Sequence, residues 1–163
     1  MRTFKHRENP WGNAGAGVLF TCEEDNTMLL FLRSRNVEEP NTWGIVGGSI
    51  SGEYFTTLPI PEHQQLPINS PRFAEGALEE IEEECGTLPP NISVERLNKS
   101  FIDFVNQGFR YRDFIYDMTL AEKREFTENI ELNWENDSFQ WFTLDQLESL
   151  DLHFGMEFIL ENI

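Results

Sequence analysis

Five glutamates fall within the six residues from Glu79 to Glu84, interrupted only by Ile81, and the run closes on Gly86. On a helix, carboxylates three and four residues apart are neighbours, and each like-charge pair costs roughly 0.2–0.5 kcal/mol. A divalent cation would offset that repulsion, because hard cations take carboxylate and carbonyl oxygens as ligands. The plain alternative is a solvated face of an acidic protein, and the run alone does not decide between them.

The surrounding residues predict a helix over Pro71–Cys85. Ser70 has the N-cap chemistry, Pro71 suits the first helical position, and Gly86 suits the left-handed residue that ends a helix. Ala74, Leu78, Ile81 and Cys85 recur at helical period and should face a core. At about 100° per residue, Glu80, Glu83 and Glu84 are expected together on the opposite face, with Glu75, Glu79 and Glu82 on a flank. Gly76, one turn before Glu80, costs about 1 kcal/mol relative to Ala in a helix interior, which implies close approach by a ligand or another backbone.

Upstream stands Trp43-Gly44-Ile45-Val46-Gly47-Gly48-Ser49-Ile50-Ser51-Gly52-Glu53, after the apolar run Met28–Arg33. Together with the helix this arrangement resembles the Nudix hydrolase family. The family box reads Gly, five residues, Glu, seven residues, then Arg-Glu-aliphatic-X-Glu-Glu-X-Gly-aliphatic. Gly47 and Glu53 match the first part, and Glu80-Ile81-Glu82-Glu83-Glu84-Cys85-Gly86 match the second. The chain departs from the box in four places. Residues 54 to 78 replace the usual seven, so a proline-containing loop at about 54–70 has grown inside the motif; it reads as an irregular excursion, either functional or a bland surface insertion. Glu79 stands where the box has arginine, Val46 where it usually has proline, and Thr87 at the final aliphatic position. Arg72, Arg110 or Arg112 is the expected stand-in for the missing arginine.

The resemblance implies hydrolysis of a nucleoside diphosphate linked to another group, with Mg²⁺ or Mn²⁺ neutralising phosphate oxygens and activating water. Carried over, Glu80, Glu83 and Glu84 should hold the metal, with the Gly47 carbonyl as a further ligand and Glu53 ordering the loop or the outer sphere. Among the catalytic candidates Glu83, Glu84 and Glu135, the base would come from Glu84 in the box or from Glu135. The latter lies in Trp134-Glu135-Asn136-Asp137-Ser138-Phe139-Gln140-Trp141-Phe142, a segment similar to the late part of many Nudix chains. Arg33 and Arg35 could meet phosphates, Trp43, Phe55 or Tyr111 could stack on a base, and Asp137 could read its edge. Ordinary roles as strand-end cations, packed aromatics and an exposed acid compete with each.

Elements to position these groups follow from the rest of the chain. Ala14–Phe20 and Met28–Arg33 read as strands joined by Glu23-Glu24-Asp25-Asn26. Lys99–Val105 and Phe109–Leu120 read as a hairpin across Asn106-Gln107-Gly108. Phe139–Phe142 reads as a strand, Thr143–Leu147 as a helix start and Phe154–Ile163 as a terminal helix. This order predicts an α/β fold, a Nudix-type α/β/α sandwich with a mixed sheet, as one domain over residues 1–163.

A formal net charge of −17 weighs against binding a long nucleic acid, whose backbone calls for a basic surface, but suits a small nucleotide carried in with metal. Cys22 and Cys85 form no CxxC pair, and His6, His63 and His153 form no ligand motif, so neither a disulfide framework nor a zinc site is expected. Without a signal-like or membrane-length apolar run, the expected setting is cytoplasmic and away from membranes. Family relatives are often dimers, so a homodimer is a possible assembly. Two other readings stand beside the metal-dependent hydrolase. One is a Nudix-fold module that senses a nucleotide without turnover; the other is an acidic metal-binding or interaction protein with an accidental box.

Overall fold

The structure is a computed structural model that describes residues 8–9, 12–50 and 56–163. Its strands are β1 (Glu8–Asn9), β2 (Ala14–Cys22), β3 (Thr27–Arg33), β4 (Trp43–Gly44), β5 (Val46–Ser49), β6 (Thr56–Thr57), β7 (Phe101–Asn106), β8 (Phe109–Asp117) and β9 (Asn136–Thr143). Its α-helices are α1 (Arg72–Cys85), α2 (Val94–Leu97), α3 (Leu120–Asn129), α4 (Leu144–Leu147) and α5 (Phe154–Asn162).

The main sheet runs β4-β3-β2-β8-β7, with β5 also on β2 and β9 also on β3. Among the described strand pairings of this sheet only β2–β8 is parallel, so the sheet is mixed. Since β8 holds one edge of β2, strands β5 and β3 share the other, β5 along Gly15–Val18 and β3 along Phe20–Cys22. The period-two side-chain alternation of a strand then sorts the two faces. Ala14, Ala16, Val18 and Phe20 pack toward α1 with Phe73, Ala77, Ile81 and Cys85. Leu19 and Leu30 pack on the opposite side with Leu147 of α4 and Met156 and Ile159 of α5. Helices cover both faces, which is the expected α/β/α sandwich.

Helix α1 starts one residue later than predicted, yet the Ser70 hydroxyl accepts the Arg72 N–H at 3.2 Å and Gly86 is left-handed at φ 71°. Gly76 answers neither a ligand nor a backbone. A Cβ there would lie 2.2 Å from Ile50 Cγ2, so the glycine lets α1 close onto the residue that follows β5.

The predicted strand Phe109–Leu120 is too long. It stops at Asp117, because Thr119 and Glu122 form a reciprocal capping box that turns the chain into α3. Glu122 also accepts Arg96 Nη1 at 2.9 Å and Asn91 Nδ2 at 3.0 Å. The Arg96 bond, with those of Asn91 and the Thr119 N–H, holds its carboxyl at about 2, below the ordinary 4.5, despite burial. A depressed carboxylate stabilises the fold above its unfolded value and ceases to do so as pH falls through the folded one. The unfolding free energies of the wild type and Glu122→Gln, measured by urea denaturation, should therefore differ by about 2 kcal/mol at pH 7. That gap should close between pH 4.5 and about 2; a gap independent of pH would contradict this assignment.

In the inserted loop, the described residues are tied to the β7–β8 hairpin and are not wholly irregular. Thr56 and Thr57 pair with Asn9 and Glu8, and Glu62–Gln64 form a 3₁₀ turn. The Ile60 N–H donates to the Gln107 carbonyl at 2.7 Å, and Arg112 Nη2 donates to the Ile68 carbonyl at 2.8 Å.

Candidate active site

Glu84 is the most constrained of the box residues. It is 3% exposed; one carboxylate oxygen accepts the Gly47 N–H at 2.8 Å and the other the Asn136 side-chain amide at 3.1 Å. Its predicted place on the face opposite the core is thus corrected. The buried side of α1 is broad, running through Phe73, Ala77 and Glu84 as well as Ala74, Ile81 and Cys85, because the helix lies under β2 and β5. The paired glycines make room for Glu80 and Tyr111 beside Glu84. A Cβ on Gly48 would lie 2.7 Å from a Glu80 carboxylate oxygen, and one on Gly47 would lie 2.4 Å from the Tyr111 hydroxyl.

Burial, reinforced by the charges of Glu83 and Glu135, pushes Glu80 up to about 7, with a hydrogen bond from Glu84 acting the other way. Glu84 is held well above the ordinary carboxylate range by burial first and by Glu135 and Glu80 next. Glu135 is raised by burial and by Glu83, while its bond with Asn133 and the charge of Arg33 oppose the shift. The fold therefore brings Glu80, Glu83, Glu84 and Glu135 within mutual electrostatic reach. Glu83 lies at the exposed edge of this group.

The stand-ins expected for the box arginine are engaged elsewhere. Arg72 donates to the Ile50 carbonyl at 2.5 Å, and Arg110 and Arg112 both bind Asp103 at 2.7 Å. Among the described residues no ion pair reaches Glu79 or Glu83. Nor are three or more Glu, Asp, His or Cys side chains gathered there into a ready-made cation cage. The donor chemistry still suits a hard divalent cation: the donors are all oxygen, and two partly or fully buried carboxylates face like charges with no counter-ion among the described residues.

Beside Gly47, Gly48 and Glu135 opens a cleft of about 450 Å³ whose walls include Phe104, Phe109, Tyr111, Asp113, Phe154 and Phe158. Arg33 reaches it, with Nε and Nη2 donating to the Glu38 carbonyl at 2.9 and 2.6 Å. Arg35 is exposed on the following turn and Trp43 packs edge-on against Phe142 at 5.0 Å, so neither lines the cleft. Asp137 is the extra residue where the β3–β9 register shifts, opposite Leu32 and Arg33, and the bulge turns it outward to solvent. Glu53 and Phe55 lie outside the described residues.

Against solved structures, the chain superposes nearly end to end on a MutT Nudix hydrolase from Burkholderia pseudomallei, covering 93% of this chain and 97% of that one at 19% identity and a TM-score of 0.54. The Ap4A hydrolase of C. elegans matches over 90% and 92% at 15% identity and 0.53. The dihydroneopterin triphosphate pyrophosphohydrolase of E. coli matches over 93% and 94% at 15% identity and 0.52.

The chain has the Nudix fold.

No family model and no curated protein matches the sequence itself. Within the Nudix fold, sequence reasoning missed Asn136 and most of the cleft. Asn136 directly precedes a residue singled out for base reading, and its signal was the type of side chain, an amide able to hold a buried carboxylate. The cleft floor had a pattern that could have been found: Gly15 and Gly17 alternate on β2 directly beside Tyr111 and Asp113 on β8. Among the described residues no helix is long and apolar enough to cross a membrane.

Proposed function

We propose that the chain is a Nudix-type pyrophosphohydrolase that uses Mg²⁺ or Mn²⁺ to cleave a nucleoside diphosphate-linked substrate by water attack at phosphorus. The observation that carries this reading is Glu84, a buried carboxylate fixed by Gly47 and Asn136 beside Glu80 and Glu135, at the edge of an aromatic cleft. The named neighbours support it, being hydrolases of Ap4A and of dihydroneopterin triphosphate.

Glu80, Glu83 and Glu84, with the Gly47 carbonyl, would hold the cation. When bound, it would neutralise phosphate oxygens and lower the pKa of a water. The chain's own residues account for the rest. Glu135, raised by burial, is poised to take a proton at its carboxylate from the attacking water. Arg33, beside Glu135 at the cleft, offers a guanidinium to a phosphate oxygen. The aromatic walls exclude water from the nucleoside end. A small substrate fits the net charge of −17 better than a long nucleic acid does.

One observation favours the nucleotide sensor as a second reading: Glu79 replaces the box arginine, and no described base takes its place. Product release from nucleoside triphosphates, dinucleoside polyphosphates and nucleotide sugars separates the two. Turnover that requires Mg²⁺ or Mn²⁺ and stops with chelator supports the hydrolase. Tight binding without turnover replaces it with the sensor, and neither activity nor binding removes both.

A further inference from the structure

Asp113 stands out among the groups that line the cleft. It is 4% exposed, yet its carboxyl has no hydrogen bond or ion pair among the described residues and faces the cavity. Two polar groups at the rim have protein partners: Arg33 holds the Glu38 carbonyl through Nε and Nη2, which leaves Nη1 for a phosphate, and His153 caps the Gly155 N–H at 3.0 Å and meets Glu39 at 3.2 Å. A buried carboxyl with nothing to bind is costly, and burial pushes Asp113 up to about 8.

The backbone is arranged to hold this group in place. Residues 109, 111 and 113 alternate onto the cleft side of β8, while Arg112 and Phe114 face α1. Opposite Asp113 in the parallel register is Gly17, and a Cβ there would lie 2.9 Å from Asp113 Oδ1 and 3.0 Å from Ile45 Cδ1. Gly15 likewise gives way to the Tyr111 ring, 2.5 Å from where its Cβ would be. The two glycines let Asp113 and Tyr111 lean across β2 as the floor of an aromatic slot. Phe104 of β7 meets Phe158 of α5 edge to face at 5.5 Å, joining two of its walls.

A slot of this kind takes a flat ring with an apolar face and a polar edge. An amino group can donate to this carboxyl in either protonation state, whereas an oxo group can be held only while the carboxyl is protonated, through its O–H, and is repelled once it ionises. We infer that Asp113 is a specificity-determining residue of this cleft, which selects a purine bearing an exocyclic amino group over its oxo counterpart. The inference rests on the nucleotide reading above and adds the chemical class of the base.

The test compares ATP, GTP and ITP, since ITP carries an oxo group where ATP has an amine and lacks the 2-amino group of GTP. Each is assayed for kcat/KM and for Kd by calorimetry with wild type, Asp113→Leu and Asp113→Asn. Wild type should prefer its better aminopurine over ITP by about tenfold or more. Asp113→Leu should shrink that ratio to within about twofold, and Asp113→Asn, whose amide oxygen still accepts, should restore most of it. No aminopurine preference in wild type, a preference that survives in Asp113→Leu, or no binding of any of the three overturns the inference. Binding with an Asp113-dependent ratio but no turnover keeps it and removes the hydrolase. Turnover with a ratio indifferent to residue 113 does the reverse.

Discussion

Glu84→Gln is expected to lower turnover by roughly a thousandfold while leaving the fold intact. The two requirements are separable because of how Glu84 is held. Both of its oxygens accept hydrogen bonds, from the Gly47 N–H and from Asn136. Glutamine can keep the first through its own carbonyl. Its amide would then meet the Asn136 amide donor to donor, and a half-turn of Asn136 presents an oxygen instead. Geometry is thus recoverable, but the charge is not. The lost charge is one that burial and the carboxylates of Glu135 and Glu80 already disfavour. Metal-free Glu84→Gln should therefore melt at or above the wild-type temperature, opposite to the usual result of changing a buried polar residue.

A bound cation would reverse the order. A ligand present at a hundred times its dissociation constant stabilises a fold by about 2.7 kcal/mol, so Mg²⁺ should raise the wild-type melting temperature and leave that of the variant nearly still. Thermal melts in chelator and in Mg²⁺, run beside the activity assay, measure both effects. A variant that melts far below wild type in chelator would mean that the carboxylate is structural. A variant with full turnover would remove Glu84 from the chemistry altogether.

Much of this site was legible because it is local. The spacing of Gly47, Glu80, Glu83 and Glu84 survives an insertion of any length, since one strand and one helix carry it, joined by the Gly47–Glu84 hydrogen bond and by close approach at Gly48 and Gly76. Glu135 was legible because it lies just before the last strand, and the irregular β3–β9 register sets it near Arg33. What the linear pattern hid depends on cross-strand register. Asp113 looks like any strand acid until β8 is laid beside Gly17, and Trp43 looks like a stacking platform until its T-shaped contact with Phe142 takes it away from the cleft. Helix α3 was masked in a different way: alternating residues of β8 lead straight into Met118, and only the pairing of Thr119 with Glu122 marks the break. The helical wheel puts Glu84 in line with Phe73 and Ala77, eleven and seven residues earlier, and the stripe drawn through Ala74, Leu78, Ile81 and Cys85 was too narrow to include them. Here two neutral donors, a glycine N–H and an asparagine amide, admit a carboxylate to the interior.

Arg112→Leu should be the most destabilising single change considered, by about 3–5 kcal/mol, or roughly 6–20 °C in melting temperature. The guanidinium is 3% exposed and has no solvent to fall back on. It donates from Nε and Nη2 to Asp103 at 2.7 and 2.8 Å and from Nη2 to the Ile68 carbonyl, and it lies 4.0 Å over the Phe101 ring and 4.5 Å over Phe73. One side chain thus joins β7, β8, α1 and the inserted loop. Its removal leaves Asp103 with Arg110 alone and frees the Ile68 carbonyl, so hydrogen exchange should rise across residues 60–70 before it rises in β2. Because β7 and β8 also supply Phe104, Tyr111 and Asp113 to the cleft, KM should increase more than kcat falls. The double variant Asp103→Leu with Arg112→Leu decides the cause. If the loss comes from a stranded buried acid, replacing both partners by apolar groups should recover most of it, since such exchanges are often neutral or stabilising. If the double variant remains as unstable as the single one, the stacking on Phe73 and Phe101 and the bond to Ile68 hold the insertion in place, and the ion pair contributes little.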